Sequence, residues 1–205
     1  MFGIPFSHMM VLAHHLILMG YGHWLPNDPR GSWSSEVESE RLKDLGAPHW
    51  GRKKVQPSRD ELREFHQCAD PELAFPKLWF DTLQRAMIVG AIGEIAKREK
   101  LTCWACAVLP NHVHMLVRAH RLEGEEMLEL FKGRAREMLV TRGFAPPHHP
   151  VFSASKGDVF KRSPAEIRSC IKYIWDNFAK HNIPPERYPF VADYDGWPER
   201  RRSSR

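Results

Sequence analysis

Residues 109–118 read Leu-Pro-Asn-His-Val-His-Met-Leu-Val-Arg, which is typical of a tight turn that leads into a short β-strand. Side chains alternate between the two faces of a strand, so His112 and His114 are predicted to share one face and Val113 to lie on the other. The apolar run 103–109 precedes the turn and completes a β-hairpin. Two imidazoles side by side on a rigid strand favour a metal site, and a chance pairing among 12 histidines is the alternative.

The pattern of apolar residues predicts a mixed α+β chain around this hairpin. Three long segments show helical spacing, and the last of them begins at Ser163-Pro164, a helix cap followed by proline in the first turn. The predicted order is strand 14–21, helix 80–100, strands 101–109 and 112–118, helix 124–142, a strand within 151–162 with a turn or bulge at Gly157, and helix 163–181. This order predicts a ferredoxin-like, split βαββαβ sheet with an appended C-terminal helix and with the histidine strand at its centre.

The length of 205 residues suits one domain that carries a long insertion after the first strand. Residues 26–78 are polar and proline-rich and show no strand alternation. Within them, the capping box Ser58–Glu61 predicts the start of a short helix. Residues 1–181 are therefore predicted to form the domain, with 26–78 as the insertion. Residues 182–205 are predicted to be an irregular basic tail that ends in Arg200, Arg201 and Arg202.

Charge and cysteine content restrict the class of function. A net charge of +5 and a pI of about 9.1 favour a polyanionic partner, nucleic acid first. The first twenty residues fit neither a signal peptide nor a membrane span, and the four cysteines show no disulfide spacing, so a cytoplasmic location is expected. Cys103 and Cys106 are predicted to lie on opposite faces of a strand as core residues, because no second pair is present to complete a zinc site.

The final predicted helix carries Tyr173 and Asn177, which are four residues apart and share a face at the edge of the apolar stripe. From spacing alone, a half-buried tyrosine and an ordinary surface asparagine explain the pair equally well. Lys132, Arg134 and Arg136 on the preceding helix form either a solvated basic face or a surface that binds phosphates. Trp24, Trp33 and Trp175 are either core residues or platforms for unpaired bases.

Several of these segments resemble one protein family, the single-tyrosine transposases. The segment Pro110-Asn-His-Val-His-Met-Leu-Val117 resembles their HUH metal motif (histidine, hydrophobic residue, histidine), and Tyr173-Ile-Trp-Asp-Asn177 resembles the helix of their nucleophilic tyrosine. The segments 15–31 and Leu130-Phe-Lys-Gly-Arg134 are similar to the branch associated with repetitive extragenic palindromes (REP). The resemblance spans most of residues 11–181. It departs from the family at Phe178, where a proline is usual, and in the length of the insertion.

The resemblance implies a chemistry and a substrate. His112, His114 and Asn177 would bind a divalent metal, Mg²⁺ or Mn²⁺, and Tyr173 would attack a phosphodiester to form a 5′-phosphotyrosine link. The partner would be single-stranded DNA that carries a hairpin, such as a REP-like palindrome. The protein would act as a monomer, with a dimer as the alternative. Lys132, Arg134, Arg136, Arg200, Arg201 and Arg202 would bind the DNA backbone.

Two other functions remain open from the sequence. The first is a relative that binds hairpin DNA without cutting it, although such a copy is expected to have lost one of His112, His114 or Tyr173. The second is a metal-dependent phosphodiesterase that uses water as its nucleophile, with Tyr173 in a structural role.

Overall fold

A computed structural model describes residues 10–32 and 40–198. Its centre is a four-stranded antiparallel sheet, which confirms the predicted α+β class. The strands are β1 (Ala13–Met19), β2 (Cys103–Val108), β3 (His112–Arg118) and β4 (Gly157–Lys161), in the spatial order β2-β3-β1-β4. The two central strands are therefore β3, which carries His112 and His114, and β1.

The described residues contain five α-helices. They are α1 (Glu40–Lys43), α2 (Arg59–Ala69), α3 (Thr82–Arg98), α4 (Gly124–Thr141) and α5 (Pro164–Lys180), with a 3₁₀ turn at Asp70–Glu72. Ser58, Asp81 and Ser163 each accept a hydrogen bond from a backbone N–H of the first helical turn. Within the described part of the chain, no helix combines the length and the apolar character that crossing a bilayer requires.

The two faces of the sheet are covered by different helices. In β1, His15, Ile17 and Met19 alternate with His14, Leu16 and Leu18, and Ile17 pairs with His114. The His15 face packs against α5, where the ring of Tyr173 lies 5.8 Å from that of His15. The His14 face packs against α4, where Gly124 lies beside His14. The main apolar core lies between the sheet and its helices on both sides.

The turn between β2 and β3 is held by two backbone hydrogen bonds from outside the hairpin. Phe80 donates its N–H to the carbonyl of Pro110 at 2.6 Å, and Gly20 donates its N–H to the carbonyl of Asn111 at 2.8 Å. A side chain at Gly20 would place its Cβ 2.7 Å from that Asn111 oxygen, so the close approach requires glycine. These two contacts fix the position at which the histidine strand begins.

Two local predictions are wrong. Gly157 is not a turn or bulge but the first residue of β4, and it packs so closely on Ile17 that a Cβ would lie 2.5 Å from the Ile17 carbonyl oxygen. The irregularity lies in β2 instead, between Cys103 and Ala105. It places Cys103 opposite Val117 and Cys106 opposite Met115, so the two thiols share a face rather than lying on opposite faces. Both are buried in the core as predicted, and burial raises the pKa of the Cys103 thiol to about 12.

The segment 182–198 contains no helix or strand but packs along the outer edge of β2. Ala192 donates its N–H to the carbonyl of Cys103 at 2.8 Å, and the guanidinium of Arg118 lies 4.1 Å from the ring centroid of Trp197. Tyr188 is buried and its hydroxyl accepts a hydrogen bond from the N–H of Val108. Arg200, Arg201 and Arg202 lie outside the described residues, so the basic end of the tail stays a prediction.

The inserted segment between β1 and α3 has a small apolar cluster of its own, and a polar contact joins its two ends. Leu25, Leu42, Phe65 and Ala69 form the cluster. Nε2 of His23 donates a hydrogen bond to the carbonyl of Leu78 at 2.9 Å, and the His23 ring lies edge-on to the ring of Trp79. The division of the chain into a domain, an insertion and a tail stays a prediction.

We expect the Gly124→Ala substitution to destabilise the protein by about 1–3 kcal/mol, because the new Cβ would meet the Asp158 carboxylate and lie 2.8 Å from Nδ1 of His14. The matched control is Gly133→Ala in the same helix, where the added Cβ meets no atom within 4 Å. That control is expected to stabilise the protein by about 0.5–1 kcal/mol. Urea unfolding of both variants checks the prediction, and an unchanged Gly124→Ala midpoint would contradict it.

Burial lowers the pKa of His23 to about 4, and the nearby charges of Lys77 and Arg30 act in the same direction. In the unfolded chain this imidazole takes up a proton near pH 6.5, so its contribution to stability is complete above about pH 6.5 and is lost as the pH falls towards 4. We expect His23→Gln to remove this loss, which amounts to about 1.4 kcal/mol in the free energy of unfolding for each pH unit within this range. Urea midpoints measured from pH 7 to 4.5 check it; parallel wild-type and variant curves would contradict it.

Candidate functional site

A chain of three buried imidazoles lies at the centre of the sheet face that α5 covers. Nε2 of His112 is 3.2 Å from Nε2 of His114, and Nδ1 of His114 is 3.0 Å from Nε2 of His15. At the other end, Nδ1 of His112 is 2.7 Å from the amide oxygen of Asn111. An amide oxygen only accepts, so this contact assigns the His112 proton to Nδ1 and leaves a lone pair on its Nε2.

The three imidazoles are neutral at physiological pH. Burial lowers the pKa of His112 to about 3 and that of His15 to about 4, and it lowers the pKa of His114 well below its ordinary value. Positive charge from Lys180 also lowers the pKa of His112 and His114. Each ring therefore carries one proton and offers one nitrogen lone pair.

The protons can be arranged in two ways without any change of net charge. In one arrangement His15 donates from Nε2 to His114, which donates from its own Nε2 to His112. In the other, the His114 proton lies on Nδ1 and is donated to His15, and both Nε2 lone pairs then point towards each other across 3.2 Å. Two lone pairs that point at each other repel unless a cation binds to both nitrogens. The second arrangement therefore suits a metal ion.

The donor set fits a divalent cation that accepts imidazole ligands. Two nitrogen donors favour Mn²⁺ over Mg²⁺, which prefers oxygen. Across residues 10–32 and 40–198, no three His, Cys, Asp or Glu side chains are grouped to hold one metal ion.

Asn177, the predicted third ligand, is buried one helical turn after Tyr173. Its Nδ2 donates to the Tyr173 carbonyl at 2.7 Å, and its Oδ1 accepts from the ammonium of Lys180 at 3.5 Å. These contacts fix the amide with its nitrogen turned back to the helix and its oxygen turned away. The ligand role of Asn177 stays a prediction.

The side chain of Tyr173 lies against the imidazole chain and is 42% exposed. Its ring centroid is 5.3 Å from that of His114 and 5.8 Å from that of His15, edge-on in both cases. The ammonium of Lys180 lies 4.5 Å from the centroid of the same ring. The structure thus brings together His112, His114 and a solvent-accessible phenol beside a positive charge.

Residues from the insertion and from the end of α5 complete the surroundings. The ring of Trp24 lies 5.1 Å from that of His112, with the guanidinium of Arg30 stacked 4.5 Å above the tryptophan. His181 approaches His112 from the other side, with 5.3 Å between ring centroids. Trp24 was one of the three tryptophans considered from the sequence. Trp175 packs on Phe178 instead, and Trp33 lies outside the described residues.

The sequence reasoning missed His15 as part of the site. Its side chain reaches His114 only because β1 pairs with β3 in the register that sets Ile17 opposite His114. The two histidines are 99 positions apart, and nothing in either segment alone specifies that register. The available signal was the period of two along β1, which places His15 on one face without saying which strand lies beside it.

The predicted basic surface of α4 is not brought to the site, because α4 covers the opposite face of the sheet. Lys132 is buried and donates to the carbonyl of Ser155 at 2.9 Å, and Arg134 forms ion pairs with Glu94 and Glu137. Arg136 donates to the carbonyls of Pro147 and His149. All three head groups therefore already have protein partners, and their role in binding DNA stays a prediction.

No protein-family model matches this sequence, and a search of curated proteins finds no match for it. The resemblance to single-tyrosine transposases therefore depends on the motifs quoted above. The structure adds that the two motifs lie side by side, with the rings of His114 and Tyr173 5.3 Å apart.

We expect His15→Ala to weaken metal binding by about 10–100-fold, because His114 would lose the partner that orients its ring. His15→Gln should restore part of the affinity, since its amide oxygen can accept the Nδ1 proton of His114. Calorimetric titration with Mn²⁺ checks both. His148→Ala, which removes an exposed imidazole, is the control for binding at the surface. Equal affinity for Mn²⁺ in the wild type and in His15→Ala would show that His15 does not orient His114 for metal binding.

Proposed function

We propose that this protein is a metal-dependent, single-tyrosine DNA endonuclease and strand transferase that acts on hairpin-bearing single-stranded DNA, as transposases do. One observation carries the proposal. The phenol of Tyr173, from the final helix, lies 5.3 Å ring to ring from His114, from a strand about sixty residues earlier in the chain. An imidazole pair and an accessible phenol side by side are the parts that phosphodiester attack by tyrosine requires.

The covalent step uses the oxygen of Tyr173 as its nucleophile. A bond forms between this oxygen and phosphorus while the bond from phosphorus to the 3′ oxygen breaks. The phenol proton leaves to solvent, and the departing 3′ oxygen takes up a proton to give a free 3′-OH. The ammonium of Lys180 lies 4.5 Å from the centroid of the tyrosine ring and brings positive charge beside the attacking group. Because the phosphotyrosine bond retains the energy of the phosphodiester, attack by a 3′-OH can rejoin strands without ATP.

The metal, Mg²⁺ or Mn²⁺, would be held by His112 and His114, with the Asn177 amide oxygen as third protein ligand. When bound, it would polarise a phosphate oxygen as a Lewis acid. Asn111 and His15 hold the outer nitrogens of the two imidazoles and so keep both inner nitrogens directed to one point. Burial keeps both ligands neutral, so acidification to pH 6 does not remove them.

The architecture supports the same proposal. The strand order β2-β3-β1-β4, with α3 and α4 on one face, is the arrangement expected of a ferredoxin-like, split βαββαβ fold with α5 appended on the other face. This fold would hold the imidazole pair on a central strand, where neighbours on both sides restrict its movement. The insertion after β1 would then form a wall of the site.

We further propose that the protein acts as a monomer in the cytoplasm. The imidazole pair and Tyr173 meet within one chain, so the site needs no residue from a second copy. A dimer that exchanged α5 between its subunits would instead separate Tyr173 from the histidines of its own chain.

The test is incubation with a hairpin-bearing single-stranded oligonucleotide, labelled at the 5′ or the 3′ end, with Mn²⁺ or with EDTA. We expect a metal-dependent, protein-linked label on a denaturing gel, and only from the 3′-labelled strand. Tyr173→Phe should abolish this adduct and keep the fold, since the tyrosine is partly exposed. Tyr21→Phe, a tyrosine packed on Phe75 and His149 away from the site, is the matched control.

Each other outcome assigns a different function. An adduct that persists in Tyr173→Phe would disprove the nucleophile. Metal-dependent cleavage with repeated turnover and no adduct would indicate a phosphodiesterase that uses water. Binding of the hairpin without cleavage would indicate a DNA-binding module.

A further inference from the structure

Two open cavities adjoin the site, and the ring of Tyr173 lines both of them. The first, of about 270 Å³, also contacts His112, His114 and Trp24. The second, of about 490 Å³, also contacts His15 and Cys170. Because the phenol is partly exposed and lies between them, a ligand that crosses Tyr173 enters both cavities.

The first cavity carries an arginine without a carboxylate partner. Arg52, from the insertion, is exposed and lines the cavity, and it makes no ion pair with any residue in the described ranges. Its neighbour Arg30 differs, because Asp28 holds its guanidinium flat against Trp24. Gln56 ties the two segments together by donating to the carbonyls of Arg30 and Lys53. The cavity thus combines a fixed aromatic platform with a free positive charge.

The second cavity carries a free lysine. Lys161, the last residue of β4, lines it and forms no ion pair within the described part of the chain. Its charge acts within the site: burial lowers the pKa of His15 and Lys161 lowers it further, whereas burial raises the pKa of the Cys170 thiol and Lys161 opposes that rise. Glu166 lies in the same cavity, but its carboxylate accepts the backbone N–H of Arg162 at 2.8 Å.

We propose that one DNA strand crosses the site from the first cavity to the second, with Arg52 and Lys161 binding phosphates on opposite sides of the scissile one. The inference rests on the proposed function. It gives the insertion a role, which is to supply the phosphate contact and the stacking platform of one half of the path. Phosphates recur along a strand, so two free cations on either side of a nucleophile suit this ligand better than a small anion.

The test measures binding of fluorescein-labelled oligothymidylate, about 12 nucleotides long, by anisotropy across a range of salt concentrations in EDTA, where the proposed cleavage cannot occur. We expect Arg52→Gln and Lys161→Gln each to weaken binding and to reduce the salt slope by about 0.7, the value for one phosphate contact to a single strand. The double variant should lose about 1.4 in slope, because its two contacts involve different phosphates.

Matched controls separate local contacts from a general loss of charge. Lys54→Gln lies in the same basic run as Arg52, and Arg168→Gln replaces an exposed residue of α5; neither side chain lines either of the two cavities. Equal effects of the controls, unchanged slopes, a double variant no weaker than either single one, or no binding by the wild type would each overturn the inference. The adduct experiment with Tyr173→Phe judges the proposed function separately, so either idea can fail alone.

Discussion

The antiparallel pairing of β1 with β3 is the constraint on which the site depends. Its register sets Ile17 opposite His114 and Met19 opposite His112, and it brings His15 within hydrogen-bonding distance of His114. A shift of one residue would turn His15 to the other face of the sheet and bring His14 in its place. The register is held from outside the strands as well, because Gly20, directly after β1, is bonded to the turn that precedes β3.

In the candidate site, the positive charges and the imidazoles occupy different places. The imidazoles are buried and neutral, while the cations lie around them, with Lys180 over the tyrosine ring and Arg52 and Lys161 in the cavities on either side. An anion that approaches the site therefore meets positive charge before it reaches the nitrogen lone pairs. Protonated imidazoles would also attract an anion, but they could not bind a metal. Burial keeps the imidazoles uncharged beside these cations, as the proposed metal site requires.

The parts of this structure that follow from local sequence were predictable, and the parts that depend on contacts between distant segments were not. Helix α5 begins at its predicted cap Ser163, and β3 has the predicted bounds because the turn before it and its alternation are both local signals. The bulge near Cys103 and the packing of Gly157 on Ile17 depend on neighbouring strands, so the sequence alone placed both wrongly. The partners of Lys132, Arg134 and Arg136 were hidden for the same reason, since a basic helix face looks alike whether its charges are free or paired.

The segment that packs along β2 affects the tendency of the protein to aggregate. A strand at the rim of a sheet offers unpaired backbone groups to any other extended chain, and β2 is apolar and buried throughout. The segment 182–198 packs along that rim, with Ala192 bonded to Cys103 and the ring of Tyr194 packed edge-on against Trp104. The opposite rim, β4, is short and carries Asp158 and Lys161, so charge discourages pairing there. One rim is thus protected by a covering segment and the other by its own composition, and loss of the cover would leave β2 as a template for strand-to-strand aggregation.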